Sequence, residues 1–178
     1  MLEAANKLLK QAIQSRRQNK VENARRDFVL AVELCRRAGS APDLALSLVH
    51  LGQIERDLHH IAAALQHYQE AVALYRVEDN PLRLAHALRH VADIYCDAGR
   101  YAEAEPHYNE ALAIYRSHDQ TAPLALANAI RGFAILKHET GQYELAKLLW
   151  QEARHLYSVV KVDAGVAECN ARLARIAG

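Results

Sequence analysis

The sequence predicts an all-α chain built from stacked helical hairpins, and three observations carry that prediction. Alanine (33 residues) and leucine (24) make up about a third of the 178 residues, whereas threonine appears twice. This balance favours helix and lacks the β-branched runs that sheets need. Four segments align without gaps: Val21–Ala31, Ile61–Ala71, Tyr101–Ala111 and Tyr143–Ala153. Each carries Ala, an aromatic four residues on, and Ala three further: Ala24/Phe28/Ala31, Ala64/Tyr68/Ala71, Ala104/Tyr108/Ala111 and Ala146/Trp150/Ala153. The copies are spaced by 40, 40 and 42 residues, a period that signals a repeat architecture. Finally, residues suited to turns stand at fixed points of that period.

Each copy divides into two helices. Twelve residues before the first Ala of each segment lies another small residue, Ala12, Gly52, Ala92 or Ala134. The i, i+4 and i, i+7 spacings fall on one helical face, so small residues let two backbones approach while the aromatic fills the space between them. Between the helices, Asn19, His59, Gly99 and Gly141 occupy the position of a left-handed helix end. Between copies, Ser40-Ala-Pro42, Asn80-Pro81 and Thr121-Ala-Pro123 place a capping side chain next to a proline at a helix start. Asp163 is expected to cap a last helix, about Ala164 to Ala177. Ala174, 40 residues after Ala134, opens a fifth copy. The repeats span about 5–44, 45–84, 85–126 and 127–166, with the terminal helix at 164–177, and the length fits one domain of 1–178 on a prior of about 150 residues per domain.

The Gly/Ala–aromatic–Ala pattern resembles the tetratricopeptide repeat over essentially the whole chain. The third copy is the closest fit: Leu88, Val91, Ala92 and Tyr95, then Gly99, Tyr101 and Ala104, then Tyr108 and Ala111. Its Ala-Glu-Ala-Glu-Pro-His-Tyr segment and the long period are similar to the repeats of kinesin light chains and of bacterial peptide-sensing regulators. The resemblance implies a right-handed α-solenoid of four hairpins plus a C-terminal helix, in which first helices line a concave surface and second helices face outward. Departures from the pattern are Ser15, Glu55 and Lys137 at the Tyr95 position, and Gln11 where an apolar residue is expected.

The net charge of +1 argues against a polybasic nucleic-acid binder, although residues 1–40 carry nine basic against four acidic residues. Residues 41–80 carry two against six. No run approaches 18 apolar residues and the N-terminus lacks the design of a secretory signal. Cys35, Cys96 and Cys169 read as reduced thiols of a cytoplasmic protein. His86, His90 and Asp93 have a metal-compatible spacing, with His50 in the neighbouring repeat, but no third His or Cys ligand falls in register, so neither metal nor other cofactor is expected. Cys96 has no base correctly spaced on its helix, and no nucleophile elbow, phosphate-cradling loop or zinc-protease motif occurs, so an enzyme is not expected.

The family's carboxylate clamp is not met at its register positions: Leu9/Ile13, His50 and His86/His90 in the early repeats, Asn128/Gly132 and Glu168/Arg172 later. Kinesin light chains resemble one another in groove asparagines where this chain has Lys10, His50, His90, Gly132 and Arg172. Chaperone tails and kinesin cargo are therefore not the expected ligands. With the small residues packed inward, a second stripe of each first helix faces the groove. It reads Asn6, Leu9, Lys10, Ile13, Arg17; Leu46, Val49, His50, Gln53, Asp57; His86, Arg89, His90, Asp93, Asp97; and Asn128, Arg131, Gly132, Ile135, Glu139. The expected function is a non-enzymatic protein–protein interaction scaffold that binds a peptide or protein segment there, Arg89, His90 and Arg131 meeting its carboxylates or amides. A self-associating scaffold or homo-oligomer, and a peptide-sensing module of a larger regulator, are the alternatives.

Overall fold

The structure, a computed structural model, describes residues 1–177 of the 178, without the side chain of residue 177. Among them lie nine α-helices and no strand: α1 (Leu2–Arg17), α2 (Val21–Ala38), α3 (Ala41–Asp57), α4 (Ile61–Val77), α5 (Pro81–Asp97), α6 (Tyr101–Ser117), α7 (Pro123–Glu139), α8 (Tyr143–Val159) and α9 (Asp163–Ala177). None is long and apolar enough to cross a membrane. The helices group into two compact units, Met1–Ala87 and Leu88–Gly178.

The turns follow backbone chirality. Asn19, His59, Gly99 and Gly141 have φ of 59°, 63°, 70° and 77°, as the repeat register predicts. Gly39, Asp79 and Lys161 adopt the same left-handed conformation at the ends of α2, α4 and α8, and of these only Lys161 is of a type seldom found there. Between α6 and α7 the extra two residues replace that turn with an extended His118. Of the capping side chains expected at the inter-repeat turns, Asn80 accepts from the Arg83 N–H of α5 (3.4 Å), whereas the other two act differently. Ser40 donates to the Asp43 carboxylate (2.6 Å) rather than to a helical N–H, and Thr121 donates to the Tyr115 carbonyl (2.7 Å), so it closes α6 instead of opening α7. Pro42 and Pro123 sit in the first turns of α3 and α7, where a missing N–H costs nothing. Pro106 lies inside α6 on its exposed face.

In the first unit, α1 packs on α2, α2 on α3 and α3 on α4. Its core is the small–aromatic pattern: Ala12, Ala24, Phe28, Ala31, Ala64, Tyr68 and Ala71 are all fully buried. Gly52 is the clearest case of the small residue's role, because a Cβ there would stand 3.0 Å from the Tyr68 ring. In the second unit the same positions hold Ala92, Ala104, Tyr108, Ala134, Ala146 and Trp150, all buried. α9 packs on α8 through Cys169 and Gly165, with Val166, Leu173 and Ile176 half-buried. Gly165 leaves room for the Tyr157 ring, 2.6 Å from the site of a Cβ. Ala174 is exposed, since no second helix follows α9 among the described residues.

Two departures in the repeat pattern acquire a physical reason. Glu55 is buried and receives Arg25 of α2 (Nε–Oε1 2.8 Å) and His60 (Nδ1–Oε2 2.6 Å). Lys137 is buried and bonds Glu105 of α6 and the Gln142 side-chain oxygen (3.2 Å), with its ammonium 4.9 Å above the Phe133 ring. Both charges leave water with their partners in place, the condition under which burying them is tolerated. Gln11, at the register of buried Leu51, Val91 and Phe133, is exposed on the open side of α1.

Candidate functional site

In the first unit the expected stripe lines a pocket. Ile13, Arg16 and Arg17 of α1, Asn19 of the turn, Val21 and Phe28 of α2, and His50 and Asp57 of α3 enclose an open cavity of about 620 Å³. Ile13, Arg17, His50 and Asp57 belong to the stripe read from the sequence. Arg16, Asn19, Val21 and Phe28 do not, because they reach the pocket from outside the stripe's helical phase.

Arg16 is held by both Asp57 (2.8 and 3.0 Å) and the Gln53 oxygen (3.1 Å), so it forms a fixed wall. Arg17 is exposed, and among the described residues no ion pair involves it. The His50 ring stacks on Phe28 at 5.6 Å and 5°. Burial lowers the His50 pKa below the usual 6.5, a hydrogen bond with Gln53 opposes the shift, and the Arg16 and Arg83 cations add to it. The pocket thus combines an apolar floor (Ile13, Val21, Phe28), the His50 ring and the exposed Arg17 guanidinium. Asn6 and Lys10 extend the exposed side of α1, whereas Leu9 and Val49, expected on the same stripe, are buried among core side chains. His86 is half-buried.

In the second unit the stripe is internally satisfied. Arg89 donates to Asp93 (2.6 Å) and to the His90 ring (2.7 Å), and the Tyr108 hydroxyl donates to the other Asp93 oxygen (2.7 Å). His90, expected on the open face, is 7% exposed. Arg131 grips Glu168 of α9 with two bonds (2.7 and 2.8 Å), which holds its guanidinium above its usual pKa. Asn128 accepts from the Tyr157 hydroxyl (2.7 Å). Ile135 is half-buried, and Gly132 is buried because a Cβ there would meet the Tyr108 ring. The cationic centre expected from Arg89, His90 and Arg131 is thus already partnered within the unit. The Arg89–Asp93 pair is an i, i+4 contact that helical spacing allows, whereas Glu168, 37 residues from Arg131, is invisible to it.

Among the described residues no group of three or more His, Cys, Asp or Glu side chains is placed to hold a metal ion. The three cysteines are free and buried, and burial pushes the Cys96 thiol up to about 11. That is far from the thiolate a nucleophile needs.

Comparison with known proteins agrees with the repeat reading. A family model described as "Tetratricopeptide repeat" matches residues 3–76 and 83–158. No curated protein matches significantly. Among solved structures, BtubC (BKLC) from P. vanneervenii is similar, with 18% identity and a TM-score of 0.79 over 88% of this chain and 64% of that one. A Rap protein complexed with Competence and Sporulation Factor has 15% identity and a TM-score of 0.79, covering 95% of this chain and 47% of its own. The apo form of RapI has 13% identity and a TM-score of 0.84, covering 94% and 61%. This chain spans less than two thirds of each of them. At these identities the likeness shows the fold, an all-α solenoid of helical hairpins, as the sequence predicts. With the family model matching both pairs of hairpins, the chain belongs to the tetratricopeptide-repeat family.

Proposed function

We propose that this chain is a non-enzymatic interaction scaffold that binds a peptide or protein segment along the exposed face of its first helices. The observation that carries the reading is the pocket of the first unit: three adjacent helices converge on an apolar floor beside Arg17, which is exposed and forms no ion pair among the described residues. Asn6, Lys10, Ile13, Arg17, His50 and Gln53 form the contact surface in that unit, and Arg89, Asp93, Asn128, Arg131 and Ile135 are contacts only where a ligand competes with their internal partners. A second reading, a peptide-sensing module within a larger regulator, is favoured by the likeness to a Rap protein solved with Competence and Sporulation Factor.

The test is affinity. The immobilised chain is used to capture and identify a bound segment, and its Kd is then measured for the wild type, Ile13→Ala, Arg17→Ala and Glu103→Ala, the last on the exposed face of α6. Loss of a charge-assisted contact costs about 1.5–3 kcal/mol, roughly tenfold to a hundredfold in affinity. Arg17→Ala and Ile13→Ala weaken binding on that scale while Glu103→Ala leaves it unchanged. A segment whose affinity survives the first two and falls with the third places the site elsewhere.

A further inference from the structure

The buried charges at Glu55 and Lys137 occupy one register position, three residues past the small residue of each first helix. Their partners are in register as well. Arg25 and Glu105 each follow the first Ala of a second-helix segment, Ala24 or Ala104. His60 and Gln142 are the residues that begin α4 and α8. Each junction is therefore the same three-part node, formed by a residue of one second helix, a buried residue of the following first helix, and the residue opening the second helix after it. The polarity is opposite. In the first unit a buried carboxylate (side chain 2% exposed) meets Arg25 and His60. In the second a buried ammonium (side chain 5% exposed) meets Glu105 and Gln142. At the corresponding positions the sequence has Leu65 with Tyr95 and Arg100, and the Arg100 guanidinium lies 4.6 Å over the Tyr95 ring. The three copies thus carry three different chemistries where everything around them repeats.

We propose that this node is a matching key that dictates which hairpin packs behind which. Four similar hairpins on one chain, and on neighbouring copies of it, can pair out of order, and repeat proteins misassemble in this way. The key makes each wrong pairing costly. Hairpin α7–α8 behind α2 would set the buried Lys137 against Arg25, and hairpin α3–α4 behind α6 would set the buried Glu55 against Glu105. In each the buried charge faces a like charge and keeps only the partner of its own hairpin, Gln142 or His60, which costs more than the correct pair contributes. The ordinary apolar contacts do not discriminate, because Ala, aromatic and Ala recur at every junction. The inference concerns assembly and does not depend on the ligand reading.

The experiment makes the keys identical without removing them. Glu105→Arg/Lys137→Glu/Gln142→His gives the second unit the first unit's key, and Arg25→Glu/Glu55→Lys/His60→Gln does the converse. Each keeps every buried charge paired inside its own unit. Wild type and both variants are unfolded in urea, refolded over a range of protein concentration, and resolved by size-exclusion chromatography with light scattering. Both variants are expected to unfold at the wild-type urea midpoint. They are also expected to refold with a fraction of hairpin-exchanged oligomer at least about tenfold higher, since a mispaired buried charge costs more than the roughly 1.4 kcal/mol that a tenfold ratio represents. Refolding to the wild-type distribution by either variant overturns the proposal. So does failure of both to fold, since chemistries that cannot be transplanted between nodes are not interchangeable keys.

Discussion

Gly132→Ala is expected to destabilise the second unit, against the general rule that alanine stabilises a helix. A Cβ built at Gly132 stands 2.5 Å from the Tyr108 hydroxyl oxygen and 2.8 Å from two carbons of its ring. Tyr108 is 1% exposed, packs against Phe133 at 5.8 Å, and donates its hydroxyl to Asp93 at 2.7 Å. The ring cannot withdraw without losing that bond or displacing core. Overpacking of this kind costs about 1–3 kcal/mol and a lost hydrogen bond about 1 kcal/mol, whereas replacing a mid-helix glycine gains about 1 kcal/mol. The net effect is a loss of roughly 1–3 kcal/mol. Gly52→Ala is the internal control. Its Cβ would approach the Tyr68 ring at 3.0–3.1 Å, a strain relieved by a few tenths of an ångström, and Ala92 and Ala134 stand at the same register. There the helix gain offsets the crowding. Urea unfolding followed by circular dichroism reads both as midpoint shifts at constant slope. In a Tyr108→Ala background, Gly132→Ala changes sign and becomes stabilising. A Gly132→Ala protein as stable as wild type, or no change of sign in the double variant, refutes the steric argument.

Further outcomes follow from the same contacts. Arg25→Ala strands the Glu55 carboxylate in the core and costs about 3 kcal/mol, whereas Arg131→Ala breaks a pair that is 40% and 31% exposed and costs about 0–1 kcal/mol, both read from urea midpoints. Deleting residues 163–178 removes α9 from α8 and leaves Arg131 without Glu168, so the melting temperature falls and light scattering detects aggregation; an unchanged monomer shows that α9 is not a cap. His50 and His67 both have native pKa values lowered below 6.5, first by burial. The unfolded chain binds these protons first, so stability is complete above about pH 6.5 and is lost as pH falls toward the lower native values. Urea midpoints between about pH 7.5 and 5.5 show this slope, and His50→Gln reduces it.

The turns and the small–aromatic core were legible because chirality and close packing are local rules. Asn19, His59, Gly99 and Gly141 need only their own backbone to be recognised, and Ala24–Phe28–Ala31 needs only one helical face. The binding stripe was partly legible. Ile13, Arg17 and His50 of the expected stripe line one pocket, but burial of Val49 and His90 depends on packing that a single-helix pattern does not contain. Arg131 looked available because its partner is set by tertiary register, Glu168 reaching it from α9, whereas Arg89 pairs with Asp93 at i+4, a contact the helix itself allows and Tyr108 fixes from α6. Glu55 and Lys137 were unexplained departures until Arg25 and Glu105 were found facing them. The signal was present in the sequence as a charge of opposite sign at a repeated spacing of 30 or 32 residues.

The central claim, that the first helices hold the ligand, is tested most directly by amide hydrogen exchange of the chain alone and saturated with its captured segment. The account predicts slowed exchange in α1, in the Asn19 turn and along α3 of the first unit, with α4 and α6 unchanged. Protection confined to the second helices α4, α6 and α8, with α1 and α3 exchanging as in the free chain, contradicts it.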